Sequence, residues 1–477
     1  MAEKEPIMSV KEKAFGTGVP EHVARRRVVI ASFMGALLEW YDFFIFGTAA
    51  GLVFNSLFFP AENAMVGTIA AFAAFGVGFV SRPLGGLIFG HFGDLIGRKV
   101  TLIWTLSIVG VSTFLIGLLP TWQQVGIWAP IMLMVIRLIQ GVGLGGEYGG
   151  AALMTFESVP EKRRGFFCSI PQTASCAGIM LATGVFALCN YLLTAEQFMA
   201  WGWRIPFLLS AVMLLVGMYI RVNIEETADF KQVKKVKRHD RQKILETPMA
   251  QREPSASKPK ESIPLVLLLR QHLKGVMLAF GARLVEAVSS NIINAFGIAY
   301  LASQLAMDRS IPLNSMLLAS AIGLIVCPLS GWISDQVGLR RVYLFGAAFC
   351  ALFAFPFFML LNTGDPLLIA LAMIIGYNLG PTAMFAVQPT MYANMFSTQV
   401  RYTGLSVAYQ FSAIPGGMTP LIAALLLAAG DGAPWYVASY FVAVSLLSLL
   451  CVWMIKNKGE EAVADASSLP GNRAMTG

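Results

Sequence analysis

Charge is what this chain holds least of. Asp, Glu, Lys and Arg supply 13% of its 477 residues and apolar residues 56%, whereas a soluble domain is about 25% charged and about 45 to 50% apolar. So few charges cannot cover a water-facing surface, which excludes a soluble fold and points to an integral membrane protein. Alternation is missing too: the apolar stretches are continuous and long, while strands of a membrane barrel alternate over about 10 residues, so a closed barrel is excluded. Six cysteines are scattered with no C-x-x-C pair and read as small buried hydrophobes rather than disulfides or metal ligands. His22, His91, His239 and His272 have no metal-like neighbours, and H-E-x-x-H does not occur, so no metal is expected. A phosphate-binding loop of the G-x-x-x-x-G-K-S/T type is absent as well. No cofactor and no ATP motor is expected. No cleavable signal pattern precedes the first apolar run, which is expected to act as its own targeting signal.

What is present is a series of twelve apolar segments, at roughly 28–53, 65–90, 100–119, 128–156, 166–193, 204–222, 272–302, 313–333, 342–361, 366–393, 403–429 and 434–455. A helix of about 20 residues crosses a bilayer core. The net charge of +8 is sorted by these spans. Lys and Arg crowd the N-terminal tail, the connections holding Arg98 and Lys99, Lys162 to Arg164, Arg340 and Arg341, the central loop and the C-terminal tail, and the alternate connections hold almost none. By the positive-inside rule both termini and the central loop face the cytoplasm, which requires an even number of spans. The polar stretch 225–262 divides the chain into a tail at 1–27, a bundle at 28–224, a linker, a bundle at 263–456 and a tail at 457–477. The linker's basic residues suit a solvated positive-inside loop or anionic lipid head groups. No nucleic-acid partner is expected, and a monomer is.

The two halves repeat. Gly90-His-Phe-Gly-Asp94-Leu-Ile-Gly97-Arg98-Lys99 follows the second span, and Gly331-Trp-Ile-Ser-Asp335-Gln-Val-Gly338-Leu-Arg340-Arg341 follows the eighth. Glycine permits a tight turn, aspartate can cap a helix N-terminus, and the basic pair anchors the turn at the inner face. A looser correspondence links Pro160-Glu-Lys-Arg-Arg164-Gly165 to Arg401-Tyr-Thr-Gly404. Repetition in register with twelve spans marks a duplication of one six-span half.

With these loops the chain resembles the major facilitator superfamily from about Arg25 to Lys456. "LEWYDFFIFG", "SRPLGGLIFGHFGDLIGRK", "RLIQGVGLGGEYGGAAL" and "EQFMAWGWRIPF" are similar to its metabolite:proton symporters. The resemblance implies an all-α membrane protein, twelve helices in two pseudo-symmetric six-helix bundles, working by alternating access in a bacterial inner membrane. It further implies proton-coupled import of a small organic acid, shikimate or a related hydroxylated cyclic carboxylate. A carrier of di- or tricarboxylates, 2-oxoglutarate, or proline and betaine would share the fold. A membrane-embedded enzyme would need a nucleophile with a base, or a metal cluster, and neither is visible.

Charges inside the spans are the candidates for function. A carboxylate near a helix centre costs roughly 2.5 to 3.5 kcal/mol, so Glu39, Asp42, Arg82, Arg137, Glu147, Arg283 and Glu286 are expected to face one another or a wet cavity. Glu39 and Asp42 share a helical face, as do Arg283 and Glu286. Arg82 and Glu147 read equally as structural pairs or as side chains snorkelling to the interface. In the superfamily an arginine at the place of Arg137 often faces an acidic residue of the first span, which implies an Asp42–Arg137 pair for proton coupling with Glu39 in support. Candidate substrate contacts are Arg137, Gln140, Tyr41, Gln172, Arg283, Glu286, Asn291, Gln388, Tyr409 and Gln410; the polar ones among them serve equally as interhelical hydrogen bonds. Gating is expected of Asp94, Arg98, Asp335, Arg340 and Arg164. The run Gly141-Val-Gly143-Leu-Gly145-Gly146 matches a dinucleotide fingerprint, but it lies in a span, where glycines four apart serve close helix packing.

Overall fold

A hydrocarbon solvent leaves an isolated backbone one way to satisfy its polar groups, the helix, and the spans among the described residues take it. Its structure, a computed structural model, describes residues 21–60, 64–86, 88–89, 98–145, 155–157, 159–223, 268, 272–397 and 400–455. Most of both tails, the 225–262 linker, Asp94 with most of the first loop signature, Glu147 and the Arg98 side chain lie outside the described residues.

Twelve long helices occupy the expected positions among the described residues. The first bundle holds α1 (Glu21–Ala49), α2 (Ala64–Val80), α3 (Arg98–Leu118), α4 (Trp128–Leu144), α5 (Arg164–Leu192) and α6 (Ile205–Asn223). The second holds α7 (Leu273–Asn291), α8 (Ser310–Val337), α9 (Leu339–Leu361), α10 (Pro366–Tyr377), α11 (Arg401–Ala429) and α12 (Trp435–Met454). Ten of these runs are long and apolar enough to cross a bilayer, while Ile103–Leu118 and Trp128–Leu144 are shorter apolar helices at the two remaining positions.

Three helices continue through π-helical turns that hydropathy does not announce: α1 through Ala50–Phe54, α7 through Ile292–Phe296 and Tyr300–Gln304, and α10 through Asn378–Thr382. A π turn lets a helix bulge while its backbone bonds stay inside the segment. Where the solvent returns, caps reappear. Asp365 Oδ1 accepts the N–H groups of Leu367 and Leu368 at 2.7 and 3.2 Å, and Pro366 takes the first helical position.

Within the first bundle, Gly141 and Gly145 turn toward α2 and its continuation, where a Cβ on either would overlap the carbonyl of Gly78 or of Arg82. The glycine run is thus a packing seam. Phe54 and Phe58 of the extended α1 pack around Trp203 and Phe207 with ring centroids 5.2 to 6.1 Å apart. Arg204 there donates to the carbonyls of Gly117 and Leu119, both at 2.7 Å, and so caps the end of α3.

The bundles meet along α5 with α8, α2 with α11, and α1 with α7. At the end where α5 begins, a Cβ on Gly165 would stand 2.5 Å from the Gly331 carbonyl, and one on Gly331 would stand 2.6 Å from that of Gly165. Only glycine allows α5 and α8 to approach so closely. At the opposite end the π segment of α1 lies on that of α7, with a Cβ at Gly51 falling 3.2 Å from Ala299 Cβ and 3.3 Å from the Ala295 carbonyl. The two bundles thus touch at both ends of the cleft between them.

Candidate functional site

Two groups of buried polar side chains occupy the middle of the molecule. The first lies inside the first bundle. Arg137, 1% exposed on α4, donates from Nη1 to Gln140 Oε1 at 2.5 Å. Gln140 Nε2 donates to Thr113 Oγ on α3 at 2.8 Å, and the Thr113 hydroxyl also donates to the Val109 carbonyl at 2.9 Å. Asp42 of α1 stands beside Thr113 and within electrostatic reach of Arg137. The guanidinium lies over the rings of Phe46 and Phe75, 4.3 and 5.3 Å from their centroids; the negative face of each ring offsets part of the lost hydration. Room for it comes from Gly78, where a Cβ would stand 2.6 Å from Arg137 Nε.

The expected Asp42–Arg137 pair needs correction in its geometry. Among the described residues no salt bridge joins the two: the guanidinium donates to Gln140 and lies over the aromatic rings, and Gln140 in turn donates to Thr113, beside Asp42. Tyr41, adjacent to Asp42, donates its hydroxyl to the Pro206 carbonyl at 2.8 Å and so ties α1 to α6.

The second group surrounds a narrow cavity between the bundles. Arg82, Arg283, Glu286, Ser290 and Asn291 line it, and Trp40, Phe43, Phe44 and Phe79 wall it. A neighbouring space shares Trp40, Phe44, Glu286 and Ser290 and adds Ser175, Tyr377, Thr382 and Phe385. Arg283 Nε lies 3.6 Å from Glu286 Oε2, and Nη1 donates to the Tyr409 carbonyl and Ser412 Oγ, each at 3.0 Å. Its guanidinium stacks on the Tyr409 ring at 3.5 Å. Arg82 does not snorkel to the interface: it is 5% exposed and stacks over Phe79 and Phe43 at 4.6 and 5.3 Å. Glu39 faces it from α1.

Of the candidate substrate contacts, Arg283, Glu286 and Asn291 line the cavity. Gln388 sits behind it, donating to Tyr392 at 3.3 Å, and Gln172 is buried one turn before Ser175 on α5. Gln410 instead donates to the Gly145 carbonyl at 2.8 Å and links α11 to the end of α4. Thr113 and the aromatic walls went unmarked in the sequence. A hydroxyl in an apolar helix reads as an internal side-chain-to-backbone bond, and aromatic residues read as core; the one usable sign was a second deep arginine, Arg82, two spans before Arg137.

At the end where α5 begins, Asp335 accepts the N–H of Gly165 at 2.7 Å and of Phe166 at 2.9 Å, a charged cap that reaches from one bundle to the other. Arg164 pairs with Glu161 at 3.2 Å and stacks on Phe156 at 4.2 Å. From α11, Arg401 stacks on the same ring at 5.4 Å and reaches Glu157 at 3.9 Å. Arg340 donates to the carbonyls of Val452 and Trp453, so it caps the end of α12 within its own bundle.

Two helix bundles closed around a charged central cavity define a membrane transporter of the major facilitator class. The chain belongs to the sugar (and other) transporter family, whose model matches residues 28–460, and its relatives are transporters rather than enzymes. It is 40% identical over 433 residues to the shikimate transporter of Escherichia coli, covering 91% of this chain and 94% of that one. The glycine betaine/proline/ectoine/pipecolic acid transporter OusA of Dickeya dadantii is 32% identical over 447 residues, 93% and 85% of the two chains. Among solved structures, the D-xylose-proton symporter aligns with a TM-score of 0.68 at 17% identity over 91% of this chain and 98% of that one. A partially occluded inward-open form of XylE from E. coli gives 0.67 at 16% over 91% and 100%. Those two likenesses bear on the fold alone.

Proposed function

We propose that the protein is a proton-coupled symporter that imports a small organic acid, shikimate or a related hydroxylated cyclic carboxylate, across a bacterial inner membrane. Both termini and the 225–262 linker are cytoplasmic in this reading, and 28–224 and 263–456 are the two moving bundles. One observation carries the substrate class: Arg82 and Arg283 line a narrow cavity with Glu286, Ser290 and Asn291 between aromatic walls. Guanidiniums suit a carboxylate, amides and hydroxyls suit ring hydroxyls, and aromatic faces suit the ring. Asp42 carries the proton, Arg137 responds to its charge, and Glu39 supports α1. The Asp335 cap and the Arg164 and Arg401 contacts form the cytoplasmic gate, with Asp94 and Arg98 as the partners of that gate in the other half.

A zwitterion is the second reading. Trp40, Phe43, Phe44 and Phe385 lie beside Glu286, a set that would hold a quaternary ammonium by cation–π attraction while an arginine held its carboxylate. Uptake of labelled shikimate into proteoliposomes under an imposed pH gradient separates the two, with citrate, 2-oxoglutarate, proline and glycine betaine as competitors. Accumulation abolished by a protonophore and indifferent to betaine supports the first. No shikimate uptake alongside pH-driven betaine uptake would replace it with the second.

A further inference from the structure

We infer that Thr113 is the positioning residue through which the protonation state of Asp42 reaches Arg137. The inference rests on the reading of Asp42 as proton carrier and adds the path by which its charge acts. The observed donors run one way, from Arg137 Nη1 to Gln140 Oε1 at 2.5 Å and from Gln140 Nε2 to Thr113 Oγ at 2.8 Å. Asp42 stands beside the Thr113 hydroxyl. Thr113 and Gln140 are fully buried, Arg137 and Asp42 nearly so. Hydrogen bonds in such a dry, connected row polarise one another.

A hydroxyl has one proton to give and two lone pairs. In the structure that proton goes to the Val109 carbonyl at 2.9 Å, and one lone pair takes Gln140. When Asp42 is ionised, the hydroxyl can turn its proton from Val109 to the carboxylate. Every donor from Arg137 onward then points at the negative charge, and Arg137 is held tightly. When Asp42 takes up a proton it donates to the second lone pair instead, the hydroxyl returns to Val109, and the hold on Arg137 slackens. Proton uptake by Asp42 thus loosens Arg137, whose charge already acts on Arg82 of the cavity, and leaves it to respond to an anion held there; by reciprocity the anion favours proton uptake.

The other charged and titratable groups around Asp42 do not duplicate the path. Tyr41 and Glu39 share its helix, the Tyr41 hydroxyl being bound to Pro206 of α6 and Glu39 facing Arg82. Arg82 of α2 acts on Arg137 by repulsion, and Cys189 of α5 lies nearest Tyr41. From α7 and α11, Arg283, Glu286 and Tyr409 are grouped around the cavity.

Thr113→Val keeps the shape and removes the hydroxyl. In proteoliposomes it should lower pH-driven accumulation of labelled shikimate by roughly ten-fold, the loss expected from breaking one buried link, while shikimate exchange without net proton flow persists; Thr113→Ser should restore coupling. The infrared carbonyl band of the protonated carboxyl that vanishes in Asp42→Asn should titrate at a shifted pH in Thr113→Val, a readout that needs no substrate. Wild-type accumulation and an unshifted band in Thr113→Val overturn the inference. If Thr113→Val does not fold, Gln140→Met breaks the next link, and an unshifted band there overturns it equally. The underlying reading fails separately, when Asp42→Asn itself accumulates shikimate with an unchanged pH dependence.

Discussion

Asp335 caps a helix of the opposite bundle: its Oδ1 accepts the Gly165 N–H at 2.7 Å, where α5 begins beside the glycine seam with α8. Asp335→Asn keeps the shape but loses the charge that favours a helix N-terminus, about 1 kcal/mol or about a five-fold shift toward opening at this end. Labelling of a cysteine placed in the α5–α8 seam should quicken accordingly. Unchanged labelling and uptake would reduce the cap to a fold element.

Gly78→Ala tests how closely Arg137 is fitted. Its Cβ would stand 2.6 Å from Nε and 3.1 Å from both Cγ and Cδ. Overpacking of this kind costs about 1 to 3 kcal/mol, and here it also pushes the guanidinium off Gln140. A lowered melting temperature together with impaired pH-driven uptake is the expected result. Full stability and transport would mean that α2 and α4 yield at no cost.

Arg283→Ala should weaken shikimate binding ten-fold or more, since one charge-assisted contact is worth about 1.5 to 3 kcal/mol. It also leaves Glu286 buried beside a lost cation 3.6 Å away. Adding Glu286→Gln should recover stability but not affinity, a non-additive pair in a double-mutant cycle. Calorimetric affinity unchanged by Arg283→Ala would move the carboxylate to Arg82 or Arg137.

Asp308, in the connection from α7 to α8, accepts the Ser310 N–H at 2.8 Å. Hydrogen bonds from the Ser310 side chain and backbone hold its pKa below the ordinary 3.8. A depressed carboxyl pKa stabilises the fold above the unfolded value, and the effect is lost as pH falls through the folded one. Asp308→Asn should therefore melt slightly lower than wild type at pH 7, with the gap closing below pH 3.8. A gap that widens in acid would contradict this.

Hydropathy and the spacing of basic residues made the twelve helices legible, since each span has to be apolar for its whole length to cross lipid. The buried charges were legible for the same reason, each being costly where it stood. Their partners were not. Asp335 binds backbone amides, which leave no mark in a sequence, and the hydrogen bonds of Arg137 run toward Asp42 by way of Gln140 and Thr113, the second of which reads as an ordinary hydroxyl in an apolar helix. The loop motif around Arg340 names the turn and not the neighbour the turn reaches, so its bonds to the end of α12 were not legible either.

The π turns at Ala50–Phe54 and Ile292–Phe296 have a consequence for how the two rods can move. Each turn takes in one residue too many, so the stripe of side chains beyond it is rotated by about 100° relative to a continuous α-helix. In α7 this places Glu286 and Asn291 on the cavity before the phase slip, with Ala295 inside the slip and Ala299 after it set against Gly51. α1 carries its own slip directly opposite. A return to α geometry in either rod would swivel everything beyond the slip while the charged cavity kept its orientation, like a ratchet tooth set just above the load.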